Sequence, residues 1–178
     1  MMKNTHSLIA VLFILVIPVY SLTQEVDLPV DEKTGLITYK DVVTEEGNQE
    51  SFFNSAISWI NGYYKNPVDV TKTRNPESGL IKGLHRIKLK NTDAEGLKTD
   101  AGTVQYRFTL EFKEGRYRYI LTEFVLRQAS KLPAEKWLNE TDPQSKSYLK
   151  QIDDFAQSWI GSLKLGMKPK AEKREDEW

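Results

Sequence analysis

The stretch from Val104 to Phe124 constrains the fold more than any other part of the chain. Val104, Tyr106, Phe108, Leu110 and Phe112 alternate with Gln105, Arg107, Thr109, Glu111 and Lys113. That period of two places the apolar set on one face of a strand and the polar set on the other. Glu114-Gly115 follows as a two-residue hairpin turn, and a second alternating run begins at Arg116. The turn sets the register: Phe112 opposite Tyr117, Leu110 opposite Tyr119, Phe108 opposite Leu121, and Glu111 opposite Arg118 as a cross-strand charge pair. Continued unbroken, this register turns Glu123 inward, opposite Tyr106. Two readings of that conflict are open. A bulge shifts the phase and turns Phe124 inward, the favoured reading because bulges are frequent near strand ends, or Glu123 is a partly buried carboxylate.

The rest of the pattern adds helices and strands around this hairpin. Leu36 to Val43 reads as a first strand. Asn48 suits a helix N-cap, with Gln49 and Glu50 in the first turn. Phe52, Phe53, Ala56, Ile57, Ile60 and Tyr63 then recur at helical spacing, and Asn66-Pro67 ends the run. Val68 to Arg74 reads as a short polar strand. Gly79 to Leu89 alternates, with Ile81, Gly83, His85, Ile87 and Leu89 on one face and Lys82, Arg86 and Lys88 on the other. Asn91 to Gly102 is polar and glycine-containing and reads as a mobile loop, and Arg127 to Thr141 as a long connection. Asp142-Pro143 opens a second amphipathic helix through Tyr148, Leu149, Ile152, Phe155, Ala156, Trp159, Ile160 and Leu163, ending near Gly166.

The order β-α-β-β-β-β-α predicts an α+β fold. About five antiparallel strands carry two helices packed on one face, because each helix has one apolar side and strands joined by hairpins form an antiparallel sheet. The other sheet face then carries Lys82, Arg86, Lys88, Arg107, Glu111 and Arg118, interrupted by Leu84 and Ile120, and is solvated or available to a partner. One core is expected, over residues 24–167, with 168–178 as a charged tail.

The chain starts with Lys3 followed by an apolar run, Leu8 to Tyr20, shorter than the ~20 residues a membrane helix needs. It has the form of a signal peptide, residues 1–23, with Ser21 and Thr23 as alternative cleavage points. The protein is expected to be exported, periplasmic or extracellular, with no stable membrane span after cleavage. The absence of cysteine removes disulfides, thiol catalysis, cysteine metal sites and a lipid-modified cysteine. Basic and acidic residues balance at 25 each, so total charge supplies no pull toward nucleic acid or acidic membranes. Loss of residues 1–23 also removes His6 and leaves His85 as the single imidazole.

Leu28-Pro29 to Val43 before an aromatic helix, then Gly79 to Gly83, then the hairpin from Glu111 to Phe124, resemble a bacterial domain-of-unknown-function family described as having a TBP-like fold. The resemblance runs from about Leu28 to Leu165. It implies export and this strand order, and it supplies no catalytic residues. A fold name does not carry function, so the likeness to the TATA-binding protein's architecture implies no DNA binding.

His85, Glu123, Arg107 and Arg118 are the residues to watch. A lone strand histidine is more often a boundary residue than a base. Glu111 faces Arg118 and Glu114 sits in a turn, which leaves Glu123 as the one carboxylate with scope for a raised pKa. The arginines of the hairpin point away from its tyrosines, so they do not form an interleaved nucleic-acid surface. Gly79 and Gly83 lack a phosphate-loop pattern and read as places of close backbone approach, to a helix or at a bulge. The expectation is a non-enzymatic binding domain of the bacterial cell envelope. Its partner is an envelope protein, peptide or glycan docked on the open sheet face or edge, with no nucleic acid, no metal and no cofactor. A carboxylate-based hydrolase is the alternative, and a secreted cystatin-like inhibitor is the third reading.

Overall fold

A computed structural model describes residues 27–128 and 130–169. The expected signal segment, 1–23, lies outside the described residues, as does the tail from residue 170 onward.

The hairpin expected from the alternating pattern is present as β4 (Lys98–Lys113) and β5 (Arg116–Arg127). Phe112 pairs with Tyr117, Leu110 with Tyr119, Phe108 with Leu121, and Glu111 with Arg118. The register shifts between Gln105 and Arg107, which face Val125 and Thr122. Two β5 residues, Glu123 and Phe124, therefore stand against Tyr106 alone. This is the bulge, and it turns Phe124 into the core with no exposed surface. Glu123 takes the left-handed conformation, φ 55°, and its side chain goes outward. The alternative of a partly buried carboxylate is overturned.

The remaining strands extend from this hairpin. The sheet order is β1-β5-β4-β3-β2, with β1 (Tyr39–Thr44) antiparallel to β5. β3 (Leu80–Thr92) pairs along β4, and β2 (Thr71–Asn75) is the far edge. β6 (Lys131–Pro133) pairs with β5 beyond the end of β1. Among the described residues there are six strands rather than five. The segment expected as a strand over Val68–Arg74 begins instead as a one-turn helix, α2 (Pro67–Val70), because Pro67 fits the first helical position. The expected loop Asn91–Gly102 is mostly strand. Its ends continue β3 and β4, and the turn between them is closed by the Asp93 carboxylate, which accepts from the backbone N–H of Glu95 at 3.0 Å and Leu97 at 2.8 Å. The connection after Arg127 holds β6 and a 3-10 helix, Ala134–Asn139, which buries Ala134 and Trp137.

Both long helices cover one side of the sheet. α1 (Gln49–Tyr63) starts at Asn48, whose side chain accepts from Ser51 N at 2.8 Å while Ser51 Oγ accepts from Asn48 N at 3.0 Å. This reciprocal cap satisfies two backbone N–H groups that the helix start leaves open. α3 (Pro143–Gly166) starts at Asp142, which accepts from Gln144 N and Ser145 N. Between helices and sheet lies an aromatic layer. Trp59 and Trp159 meet edge to face at 5.1 Å, Phe53 meets Phe112 at 5.9 Å, and Phe155 meets Tyr106 at 4.9 Å. The polar ends of these rings are paired inside the core. Trp159 Nε1 donates to the Tyr64 hydroxyl at 2.7 Å, and that hydroxyl lies 3.1 Å from the Tyr106 hydroxyl. Among the described residues no buried side-chain nitrogen or oxygen is left without a partner.

Gly83 is filled by its neighbour across the strands. A Cβ there would lie 2.8 Å from Phe108 Cε2 and closer still to Cε1 and Cζ. The close approach expected at this glycine comes from an aromatic side chain of the next strand and not from a helix. Gly79 sits at φ +61°, and a Cβ there would meet the Phe112 carbonyl oxygen at 2.6 Å.

Candidate functional site

The helices leave the second sheet face uncovered. Its composition follows from the strand register, since residues paired across strands share a face. One row runs Leu80, Glu111, Arg118, Val42, and the next Lys82, Thr109, Ile120, Lys40. Beyond these lie Leu84, Arg107, Thr122, then Arg86, Gln105, Val125, then Lys88, Thr103, Arg127. Lysine and arginine occupy every row. Neighbouring strands are about 4.8 Å apart and same-face residues about 6.7 Å apart along a strand, so each cation sits within roughly one Debye length of its nearest neighbour at physiological salt. Carboxylates are interspersed among them: Asp31 pairs with Lys40 and Asp100 with Lys90, while Glu111 and Glu123 are each held by an arginine. Arg118 Nε donates to Glu111 at 2.6 Å, and Arg107 Nε donates to Glu123 at 2.5 Å. Lys82, Arg86, Lys88 and Arg127 are exposed and form no ion pair among the described residues.

The zero total charge therefore conceals an uneven distribution. Away from this face the signs are mixed: α3 carries Lys146, Lys150 and Lys164 beside Asp153 and Asp154, the 3-10 helix carries Glu135 beside Lys136, and Glu45 and Glu46 lie in the turn before α1. Composition could not show this, because a residue count carries no information on which side of a strand each charge lies.

The residues singled out from sequence do not form one site. Arg107, Arg118 and Glu123 lie on the open face. His85 lies on the helix side, paired with Tyr106 on β4. Its ring is half-buried, 4.9 Å from the Tyr64 ring and 6.2 Å from the Tyr106 ring. Burial lowers its pKa below the ordinary 6.5, with a further lowering from the Arg86 charge. Glu123 and His85 are on opposite sides of the sheet, so they cannot act together on one substrate.

Two depressions lie near β1. A groove of about 570 Å³ is lined by residues including Asp31, Tyr39, Lys40, Tyr119, Gln157 and Lys164. Several of its polar groups are already engaged. Tyr39 OH donates to Asp153 at 2.9 Å, Lys40 is paired with Asp31, and Lys164 Nζ is 3.3 Å from Asp41 and 5.6 Å from the Tyr119 ring centre. A smaller hollow of about 220 Å³ lies at the corner of the open face, between Val42, Glu111, Lys113, Arg116, Tyr117 and Arg118. No cluster of three or more His, Cys, Asp or Glu side chains suited to a metal occurs among the described residues. None of their helices is long and apolar enough to cross a membrane.

Solved structures share this architecture. A TBP-like protein from Parabacteroides distasonis ATCC 8503 aligns with a TM-score of 0.64 at 18% identity, over 79% of this chain and 96% of that one. A DUF4468 family protein from Bacteroides ovatus ATCC 8483 aligns with a TM-score of 0.66 at 15% identity, over 82% and 93%. At such identities the likeness is one of fold. No curated protein matches the chain. Residues 39–127, from the first strand through the β4–β5 hairpin and its bulge, match a family directly, and the chain belongs to the domain of unknown function (DUF4468) with TBP-like fold.

Proposed function

We propose that this protein is exported and acts in the bacterial cell envelope as a binding domain, docking its partner on the open face of the sheet. The observation that carries the reading is the asymmetry of the sheet. One face is sealed by α1 and α3 over an aromatic core. The other leaves Lys82, Arg86, Arg107 and Arg118 exposed around the half-buried Leu84 and Ile120. Antiparallel sheets often leave one face to water, and solvation alone asks for polar side chains of either sign. Four exposed cations on this face, Lys82, Arg86, Lys88 and Arg127, form no ion pair among the described residues, and such an excess of positive charge suits a partner of opposite sign. The signal-like Leu8–Tyr20 run supports export.

The test is retention of the purified protein on a bacterial envelope preparation. Lys82→Glu/Arg86→Glu alters the open face, and Lys146→Glu/Lys150→Glu alters the outer side of α3. Retention should fall for the first pair and stay at the parent level for the second. Equal retention of both would remove the open face as the docking surface.

A further inference from the structure

We propose that the partner of the open face is a lipid surface bearing anionic headgroups, to which the protein binds peripherally. The inference rests on the reading of that face as the docking surface and gives it a chemistry. Lys82, Arg86 and Lys88 on β3, Arg107 on β4, and Arg118 and Arg127 on β5 spread over two dimensions. They cover about 20 Å along β3 and three strands across. A linear polymer would engage one line of such a grid, whereas a plane of headgroups engages all of it.

The rest of the surface chemistry points the same way. The aromatic side chains of β4 and β5 (Tyr106, Phe108, Phe112, Tyr117, Tyr119 and Phe124) are all buried on the helix side. The grid thus has no ring on which a sugar or a nucleobase could stack, which disfavours a glycan or single-stranded nucleic acid. Leu84 and Ile120, half-exposed between the cations, suit the boundary between headgroups and acyl chains. Arg107 and Arg118 remain usable although paired: Arg107 holds Glu123 through Nε, Arg118 holds Glu111 through Nε and Nη2, and each keeps further guanidinium N–H groups for a phosphate oxygen.

The test is flotation of the protein, purified as the cell exports it, with two kinds of vesicle. One holds equal parts of phosphatidylglycerol and phosphatidylcholine, the other phosphatidylcholine alone. The expected result is binding to the first only, lost at high salt. Each basic side chain near an anionic membrane strengthens partitioning roughly fivefold, so the triple variant Lys82→Glu/Arg86→Glu/Lys88→Glu should weaken it by roughly a hundredfold or more. These residues are exposed, and an unchanged circular dichroism spectrum and melting temperature confirm that the variant is folded. Lys146→Glu/Lys150→Glu should bind as the parent does. No binding to anionic vesicles, or an equal loss in the α3 variant, overturns the lipid proposal. If the face variants still lose envelope retention in that case, or if heparin or duplex DNA is bound where vesicles are not, the docking face stands with a different anionic partner. If envelope retention is also indifferent to the face, both readings fall.

Discussion

Gly83→Ala adds one methyl group at the centre of β3, and the structure sets what it must displace. The new Cβ would lie 2.8 Å from Phe108 Cε2 and nearer to two other ring atoms, against the roughly 3.5–4.0 Å of an ordinary carbon contact. The ring must retreat by more than about 0.7 Å. It has nowhere to go. The Tyr64 ring stacks on it at 5.9 Å with an interplanar angle of 8°, and the Trp159 ring lies 5.6 Å away. Those rings are in turn tied together by the Trp159–Tyr64 hydrogen bond. Overpacking of a filled core costs about 1–3 kcal/mol. Replacing a strand glycine returns about 0.5–1 kcal/mol of backbone entropy. With the ring held on two sides the upper part of the packing range applies, and the net loss is about 2 kcal/mol. In a chain of this length that lowers Tm by about 4–8 °C. Thermal and urea unfolding followed by circular dichroism measure it. Phe108→Leu made alongside Gly83→Ala should recover part of the loss, a coupling that separates a clash from a general intolerance of alanine. A Gly83→Ala protein as stable as its parent, or more stable, would refute the claim that Phe108 is wedged.

Glu123 makes the bulge testable from the opposite direction. Its φ of 55° costs an ordinary side chain about 1 kcal/mol, and its pair with Arg107 is exposed and worth at most about that. Glu123→Gly should therefore be neutral or mildly stabilising, and Glu123→Val clearly destabilising, by the same unfolding measurement. Burial raises the tyrosine pKa values above 10, to about 12 for Tyr117 and further for Tyr64 and Tyr106. The folded state then keeps protons that the unfolded chain releases, so stability is full below pH 10 and declines as pH rises above it. A tyrosinate absorbance titration should show ionisation of these rings appearing together with unfolding, and Tyr106→Phe should reduce the alkaline decline. If residues 1–23 are a signal peptide, N-terminal sequencing of the exported protein should start at Leu22 or Gln24, and a chain beginning at Met1 in the membrane fraction would contradict export.

What could be read from sequence was what short-range physics determines. The β4–β5 register was legible because alternation and a two-residue turn leave one pairing that keeps Phe108, Leu110 and Phe112 inside. The bulge was legible as a conflict at Glu123, where the alternation would otherwise bury a charge. Both long helices were legible from their apolar spacing and their caps at Asn48 and Asp142. The far end of the β3–β4 hairpin was not. Lys98 to Asp100 are exposed, so no buried set marks the strand, and the backbone ladder together with the Asp93 turn holds it. β6 has three residues and no periodicity to detect. The pairing of β1 with β5 joins residues some eighty positions apart, and local pattern carries no information about it.

The same limit applied to the functional surface. Lys82, Arg86, Lys88, Arg107 and Arg118 were expected on one face from their phase within each strand. Their convergence with Lys40 and Arg127 into a basic grid required the sheet order. His85 and Glu123, attractive separately as ionisable groups on strands, were parted by the bulge, which sends Glu123 outward while His85 stays against Tyr64.

Docking on the uncovered sheet face, as proposed above, makes retention depend on Lys82 and Arg86 and not on the outer side of α3. Envelope retention of Lys82→Glu/Arg86→Glu beside Lys146→Glu/Lys150→Glu, at matched stability, tests it most directly. Retention should be lost for the sheet-face pair and kept for the helix pair. Retention that is the same for both, or lost only for the helix pair, would contradict it.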